Sequence, residues 1–157
     1  MTLKRLNHAV LWVRDAQVSK AFYTEALGFE VAEEHAGGRA VFLRAGGSDN
    51  HHDLGLFSVG DRPSPLPQSP GLYHLAWQVD TIEDLAAVDA ELRRRGSLAG
   101  ASDHGTSKSL YAKDPDGIEF EVMWLVPAEH WGDGHAGIEP LDLPAELTRW
   151  AGVSTGG

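Results

Sequence analysis

An internal repeat constrains the fold of this chain more than any other feature of its sequence. Each half reads as one strand, one helix and three further strands, and a segment with four prolines, residues 61–70, lies between the halves. Proline lacks the backbone donor that a sheet ladder needs, so this segment is predicted to be a linker. The repeat predicts an α+β protein built from two similar modules, at about residues 4–60 and 71–126.

Local signals predict the elements of each module. Asp15 can cap a helix over residues 16–27 that stops at Gly28, and Thr81 can cap a helix that runs to residue 95 before Gly96. Apolar and β-branched runs predict strands over residues 6–14, 29–34, 39–44, 52–59, 72–80, 98–101, 107–113 and 118–125. Residues 127–157 form a tail outside the repeat, with a short helix predicted over 142–150.

Composition restricts the ligands and partners that the chain can have. Its 13 Lys and Arg against 23 Asp and Glu give a net charge of −10, which disfavours nucleic acid and anionic membranes as partners. Cysteine is absent, so any metal must be bound by His, Asp or Glu, and histidine is unusually frequent, at 8. No run approaches the ~20 apolar residues of a membrane span, and the N-terminus has no targeting pattern. We therefore expect a cytoplasmic location and no membrane contact.

Three residues at related positions of the repeat are candidate metal ligands. His8 and His74 lie 66 residues apart, early in the first strand of each half, and the same offset aligns Glu121 with Gly55. An ionised carboxylate between Phe120 and Val122 is costly unless it is paired or bound to a metal. Two imidazoles and one carboxylate with open positions form a known Fe(II) arrangement. The alternative is that both histidines are ordinary, partly buried strand residues.

Three segments carry a resemblance to a known family. Residues 7–10 (Asn-His-Ala-Val), 21–29 and 114–121 (Asp-Pro-Asp-Gly-Ile-Glu-Phe-Glu) resemble the vicinal oxygen chelate superfamily, which includes glyoxalase I, extradiol dioxygenases, and bleomycin and fosfomycin resistance proteins. The resemblance covers about residues 4–126. It implies that two βαβββ modules form one domain, residues 1–126, as a half-open mixed β-barrel around a metal, with residues 127–157 as an extension. It also implies that His8, His74 and Glu121 are the metal ligands.

Further residues resemble the extradiol branch of that superfamily. Glyoxalase I and the related epimerases carry Glu or Gln, a fourth protein ligand, at the position of Gly55. Glycine cannot bind a metal through a side chain, so the resemblance implies three protein ligands in this chain. His52 lies in a His-Asp strand motif, His104 in a His-Gly turn, and Tyr111 ten residues before Glu121. The resemblance implies acid–base work for His52 and substrate contacts for His104 and Tyr111. From the residues alone there are alternatives: His52 could be a solvated residue at the start of a strand, His104 a turn residue and Tyr111 a core aromatic.

The predicted function is therefore a metal-dependent extradiol-type dioxygenase that cleaves a small catechol-like aromatic with O2. Fe(II) is the first choice of metal, with Mn(II), Ni(II) or Zn(II) as alternatives. A homodimer is expected, because a half-open barrel leaves sheet edges that need cover. The alternative functions are a glyoxalase-like or fosfomycin-type metalloenzyme, and a bleomycin-resistance-like protein that binds a ligand without catalysis.

Overall fold

The computed structural model describes residues 2–66, 68–131 and 137–155. The chain divides into two compact units, Met1–Ser69 and Pro70–Gly157, which are called here the first and second units. The boundary falls within the proline-rich segment 61–70. No helix in the described part of the chain is long and apolar enough to cross a membrane.

The first unit is a four-stranded mixed sheet with one helix. Its elements are β1 (Ala9–Val13), α1 (Ala16–Leu27), β2 (Glu30–His35), β3 (Ala40–Arg44) and β4 (Leu54–Ser58). The strand order is β1-β4-β3-β2, with β1 parallel to β4 and the other neighbours antiparallel. This is the predicted strand, helix and three strands, and the sheet is open.

The second unit repeats this arrangement and adds the tail to it. Its elements are β5 (Leu75–Val79), α2 (Ile82–Arg95), β6 (Leu98–Asp103), β7 (Ser107–Lys113), β8 (Glu119–Leu125), β9 (Glu139–Pro140) and α3 (Leu143–Trp150). The order is β5-β8-β7-β6-β9, with β5 parallel to β8. The equal order and directions of the first four strands in the two sheets confirm the repeat and the α+β fold.

The helices begin and end where the sequence predicts. The Asp15 side chain accepts a hydrogen bond from the backbone N–H of Gln17, and Thr81 caps α2 in the same way. Gly28 and Gly96 follow the two helices with φ of 69° and 68°, a left-handed conformation that glycine adopts without a steric cost. These four residues fix the bounds of α1 and α2.

Each sheet has one face covered by its own helix. Along β1, Leu11 and Val13 are buried on the covered face, whereas Val10 and Trp12 are exposed on the other face. Strand side chains alternate between faces, so His8 belongs with Val10 and Trp12. The uncovered face of the first sheet is therefore the one that carries candidate functional residues.

The tail packs as part of the second unit. Strand β9 extends the edge of β6, where Ser102 lies opposite Pro140, and Trp150 of α3 is buried with its ring 5.6 Å from that of Trp124. Sequence pattern predicts α3 but not β9, because two residues with a proline give no strand signal, although proline fits an edge strand. Residues 132–136, which include His135, lie outside the described part of the tail.

Candidate metal and catalytic site

Strand register identifies the positions that the two sheets share. In the first sheet Val10 lies opposite Gly55, and in the second sheet Ala76 lies opposite Glu121. Both members of each pair are shifted by 66 residues, as the sequence predicts. Gly55 is therefore the first-unit equivalent of Glu121, and the first unit lacks a carboxylate at that position.

His8 and His52 lie side by side in the first unit. His8 immediately precedes β1, and His52 lies two residues before β4. Because β1 and β4 are parallel neighbours, both histidines lie at the same end of the sheet. Their ring centroids are 4.7 Å apart, and the ring of Phe42 lies 4.9 Å from that of His52. The parallel pairing of β1 with β4 is what brings these two histidines together.

A hydrogen-bond network selects the tautomer of His8. The side-chain amide of Asn50 donates to the backbone oxygen of Asn7 (2.9 Å) and to Asp53 Oδ1 (2.7 Å), which both only accept. Asn50 Oδ1 must then accept from the amide nitrogen of Asn7 (3.3 Å), so Asn7 Oδ1 is the atom 2.9 Å from His8 Nδ1. His8 Nδ1 therefore carries the hydrogen, and Nε2 keeps the lone pair with which a neutral imidazole binds a metal.

The surroundings of His52 favour its neutral form. Partial burial lowers the pKa of His52, and the nearby imidazoles of His8 and His51 lower it further, against weaker opposing effects of Asp53 and Glu33. A neutral imidazole can accept a proton, which is the state required of a general base. The predicted role of His52 is chemically consistent with this environment.

In the second unit, the side chains of His74 and Glu121 meet. His74 precedes β5, Glu121 lies on the parallel neighbour β8, and His74 Nε2 is 3.2 Å from Glu121 Oε2. Two ligand atoms held about 2.1 Å from one ion, at about a right angle, lie about 3.0 Å apart. The donor set and spacing of this pair therefore fit a shared divalent metal.

A second carboxylate lies on the other side of the His74 ring. His74 Nδ1 is buried and has no hydrogen-bond partner among the described residues, and Glu119 Oε1 lies 3.9 Å from it. A histidine that binds a metal usually donates its other ring N–H to a carboxylate or a carbonyl. Glu119 is within a small side-chain adjustment of that contact.

His104 and Tyr111 form a hydrogen-bonded pair beside His74. His104 Nε2 is 2.9 Å from Tyr111 Oη, and Tyr111 lies opposite Glu121 in the β7–β8 pairing. Burial raises the pKa of Tyr111, and the charge of Glu121 raises it further, so the phenol stays protonated at neutral pH. The tautomer of His104 decides which of the two groups donates in this bond: with the hydrogen on Nε2, His104 donates and the phenolic hydrogen is left for a bound molecule.

His74, Glu119, His104 and Tyr111 line one cleft in the second unit. Its volume is about 480 Å³, and its lining includes Tyr73, His74, His104, Tyr111, Glu119 and Ile138. Ile138 comes from the tail, which the sequence leaves without a role. The size of the cleft suits a small organic molecule.

The predicted site residues therefore fall into two sets. His8 and His52 are adjacent in the first unit. In the second unit His74, His104 and Tyr111 line the cleft, and Glu121 contacts His74. Within the described residues of either unit, no three His, Asp or Glu side chains are grouped so as to hold a metal. The predicted ligand set draws on both units, and it stays a prediction.

Sequence reasoning missed several polar residues that contact these groups. Asn50 and Glu119 received no role, although Glu119 lies two residues before Glu121, and strand alternation alone places both on one face. No sequence signal predicts Asn50, because its contacts join residues more than 40 positions apart.

Two units of the same βαβββ arrangement, with an imidazole and a carboxylate side by side in the second, define the class of protein. The sequence profile of the Glyoxalase/Bleomycin resistance protein/Dioxygenase superfamily matches residues 5–122, and the chain belongs to this superfamily. A solved structure with the same fold is the glyoxylase/bleomycin resistance protein/dioxygenase domain from Frankia sp. EAN1pec, with a TM-score of 0.66 at 23% identity. That match covers 85% of this chain and 100% of the other.

Dioxygenases are among the similar proteins. A catechol-2,3-dioxygenase of Bacillus subtilis (strain 168) is 32% identical over 70% of this chain and 37% of its own length. Biphenyl-2,3-diol 1,2-dioxygenase 3 of Rhodococcus globerulus is 33% identical, over 76% and 62%. A manganese-dependent 2,3-dihydroxybiphenyl 1,2-dioxygenase of Geobacillus genomosp. 3 is 25% identical, over 79% and 38%. The chain thus spans less than two thirds of each of these relatives.

Proposed function

We propose that this protein is a metal-dependent extradiol-type dioxygenase acting on a small catechol-like aromatic. The observation that carries the proposal is that His74, whose Nε2 lies 3.2 Å from Glu121 Oε2, lines the same cleft as the His104–Tyr111 pair, which is joined at 2.9 Å. A diol that chelates a metal requires ligands that hold the metal, here the proposed pair His74 and Glu121. It also requires groups that contact its oxygens, here Tyr111 and His104. The dioxygenases among the relatives support the same reaction class.

The proposed metal ligands are His8, His74 and Glu121. The network through Asn7 leaves Nε2 of His8 free to bind, and the His74–Glu121 spacing fits a shared ion. Fe(II) or Mn(II) is the proposed metal, because three N and O ligands with open positions suit these ions, and Ni(II) and Zn(II) are the alternatives. When bound, such an ion would draw a diol and O2 together and lower the pKa of the diol hydroxyls.

His52 is the proposed acid–base residue. A catechol must lose a proton to chelate a metal, and a neutral imidazole can take that proton and return it later. The lowered pKa of His52 keeps the ring in the accepting form. Its adjacency to His8, at 4.7 Å between ring centroids, would hold it next to a metal ligand.

His104 and Tyr111 are proposed to hold the substrate oxygens. In the proposed arrangement His104 Nε2–H donates to Tyr111 Oη and fixes the direction of the phenol. The raised pKa of Tyr111 then keeps the phenolic hydrogen in place for donation to an anionic oxygen. Donors held in place before the reaction cost no reorganisation when charge develops. These two residues orient and stabilise, whereas His52 moves the proton.

The uncovered face of the first sheet suits an aromatic ring. Val10 and Trp12 are exposed there, the Trp12 ring packs 5.8 Å from that of Phe57, and Phe42 links Phe57 to His52. An exposed apolar patch beside polar groups often marks a ligand site. This face of the first unit is therefore suited to contact with an apolar ring.

The test is oxygen uptake by protein purified without a His tag and loaded anaerobically with Fe(II) or Mn(II). With a panel of catechols, we expect O2 consumption and a yellow ring-cleavage product. Replacement of His52 by Ala should keep the metal and abolish turnover, whereas a matched His35→Ala variant should keep both.

Two results would contradict the proposal. A protein that binds one metal per chain but consumes no oxygen with any catechol is not a dioxygenase, and binding of the catechol without uptake would favour the ligand-binding alternative. Loss of metal in the His52→Ala variant would show that His52 is a ligand rather than an acid–base residue. The homodimer and the cytoplasmic location remain predictions, and light scattering of the purified chain tests the first of them.

A further inference from the structure

A chain of polar side chains in the first unit leads to His52. His51 Nδ1 lies 3.0 Å from His52 Nδ1, and His51 Nε2 lies 3.5 Å from Glu33 Oε1 on β2, which β3 separates from β4 in the sheet. The other carboxylate oxygen of Glu33, Oε2, is 2.8 Å from His35 Nε2. Neither Glu33 nor His51 has a part in the function proposed above.

The chemistry of these groups fixes which nitrogen carries each hydrogen. Hydrogen bonding from His35 lowers the pKa of Glu33, so this carboxylate is ionised at neutral pH and can only accept. His51 Nε2 must then carry the hydrogen, and in a neutral imidazole Nδ1 is left as the acceptor. The atom that faces it, Nδ1 of His52, must therefore be the donor.

We infer that Glu33 and His51 are positioning residues that hold His52 in the tautomer with its hydrogen on Nδ1 and its lone pair on Nε2. A carboxylate sets the tautomer of a catalytic histidine directly in a serine protease triad, whereas here one further imidazole transmits the choice. The catalytic meaning of this inference rests on the acid–base role proposed for His52, but the tautomer itself does not.

Packing makes this choice of tautomer consequential. The His52 ring lies between those of His8 and Phe42, at 4.7 and 4.9 Å, and stands nearly perpendicular to that of His51, at 88°. A ring with neighbours on several sides cannot exchange its two nitrogens by a free rotation. The hydrogen-bond chain therefore determines which nitrogen can accept a proton from a substrate.

Long-range ¹H–¹⁵N correlation spectra of the metal-free, ¹⁵N-labelled chain report the tautomer directly. At about pH 8, where an ordinary imidazole is neutral, we expect the His52 Nδ1 signal to be that of a protonated nitrogen. His51→Ala and Glu33→Ala should shift His52 toward a mixture of tautomers. His51→Asn should restore the wild-type pattern, because its Oδ1 takes the place of the accepting Nδ1.

His35→Ala is the matched control, because His35 contacts the same carboxylate through the oxygen that does not face His51. It should leave the His52 tautomer unchanged. Backbone amide spectra establish that each variant is folded, which is expected since His35, His51 and Glu33 are all exposed. In the metal-loaded enzyme, kcat should fall about five-fold in His51→Ala, the equivalent of one ordinary hydrogen bond, and return in His51→Asn.

A His52 ring with its hydrogen on Nε2 in the wild type would overturn the inference, as would a tautomer that neither His51→Ala nor Glu33→Ala changes. Failure of the proposed function is a separate outcome. If the tautomer is as inferred and no catechol supports oxygen uptake, the function fails and the positioning role stands. If catechols support oxygen uptake but His52 carries its hydrogen on Nε2, the positioning role fails and the proposed function stands.

Discussion

Gly55 lies opposite Val10 across strands β4 and β1, and a Cβ atom added to Gly55 would lie 3.3 Å from Val10 Cγ2. Because Gly55 is the equivalent of Glu121, this close approach occupies the place where a fourth protein ligand would extend. A carboxylate at residue 55 therefore requires the Val10 side chain to move or to be shortened.

The double variant V10A/G55E should add a fourth ligand to the three that are proposed above, His8, His74 and Glu121. We expect tighter metal binding and a fall in oxygen uptake of about ten-fold or more, equal to about 1.4 kcal/mol in activation free energy, because substrate and O2 lose an open position. Metal titration and oxygen-electrode rates measure the two effects, with V10A alone as the control. Unchanged oxygen uptake in the double variant would show that residue 55 does not face the metal.

Asn7 should influence metal binding through its contact with His8, one of the proposed ligands. Replacement of Asn7 by Leu removes the acceptor for His8 Nδ1–H and frees the ring to adopt either tautomer, so metal affinity should fall about ten-fold, as with other partners of ligating histidines. Competition with a chelator measures the affinity. Asp49→Ala is the control, because Asp49 is highly exposed and pairs with Arg5 rather than with Asn7 or His8. Equal affinities of wild type and N7L would remove His8 from the ligand set.

Sequence reasoning predicts the elements because their signals are local. Asp15, Gly28, Thr81 and Gly96 mark helix ends whose hydrogen bonds and backbone angles depend on a few neighbouring residues. The equivalence of Gly55 and Glu121 is also predictable, because the 66-residue offset between His8 and His74 applies to every position of the two modules.

Contacts between distant residues are the part that sequence reasoning misses. The approach of Glu33 to His51 depends on the β2–β3 and β3–β4 registers together, including a bulge in β2 between Val31 and Glu33. A one-residue shift would place Glu33 on the other face of the sheet. Strand β9 is not predicted for a different reason: a strand of two residues is too short to show a periodic pattern.

Asp53 should make the stability of the chain depend on pH. Partial burial raises the pKa of Asp53, but hydrogen bonds from the Ala45 backbone and from the Asn50 and Ser48 side chains lower it more, so the folded-state pKa lies below the ordinary value. A carboxyl with a depressed pKa contributes stability above its unfolded pKa of about 3.9 and loses it as the pH falls through the folded value.

Comparison of D53N with the wild type tests this expectation. Urea unfolding at neutral pH should show a loss of about 1–2 kcal/mol in the free energy of unfolding, because one charged acceptor of several hydrogen bonds is replaced. The difference should shrink below about pH 4, where the Asp53 carboxyl of the unfolded chain becomes protonated, and should be lost as the pH falls through the lower folded-state pKa. A difference that stays constant down to pH ~2 would assign the loss to packing rather than to charge.

A buried lysine connects the tail to the turn that carries His104. Lys108 is 3% exposed, and its Nζ lies 2.6 Å from Asp103 Oδ2 and 3.3 Å from Glu146 Oε2 of α3. Asp103 also accepts a hydrogen bond from the backbone N–H of Gly105, next to His104. The ammonium thus holds two carboxylates that would otherwise be poorly solvated.

Replacement of Lys108 by Met should therefore destabilise the second unit strongly. Removal of one partner from a buried ion pair leaves an uncompensated charge, and the expected loss in the free energy of unfolding is about 3 kcal/mol. Urea unfolding followed by tryptophan fluorescence measures this loss, because Trp150, the last residue of α3, packs against Trp124 of β8. Arg44→Met is the matched control: it breaks an exposed pair with Glu30 and should cost less than about 1 kcal/mol. Similar losses in the two variants would mean that water reaches Lys108 and that the tail does not depend on this cluster.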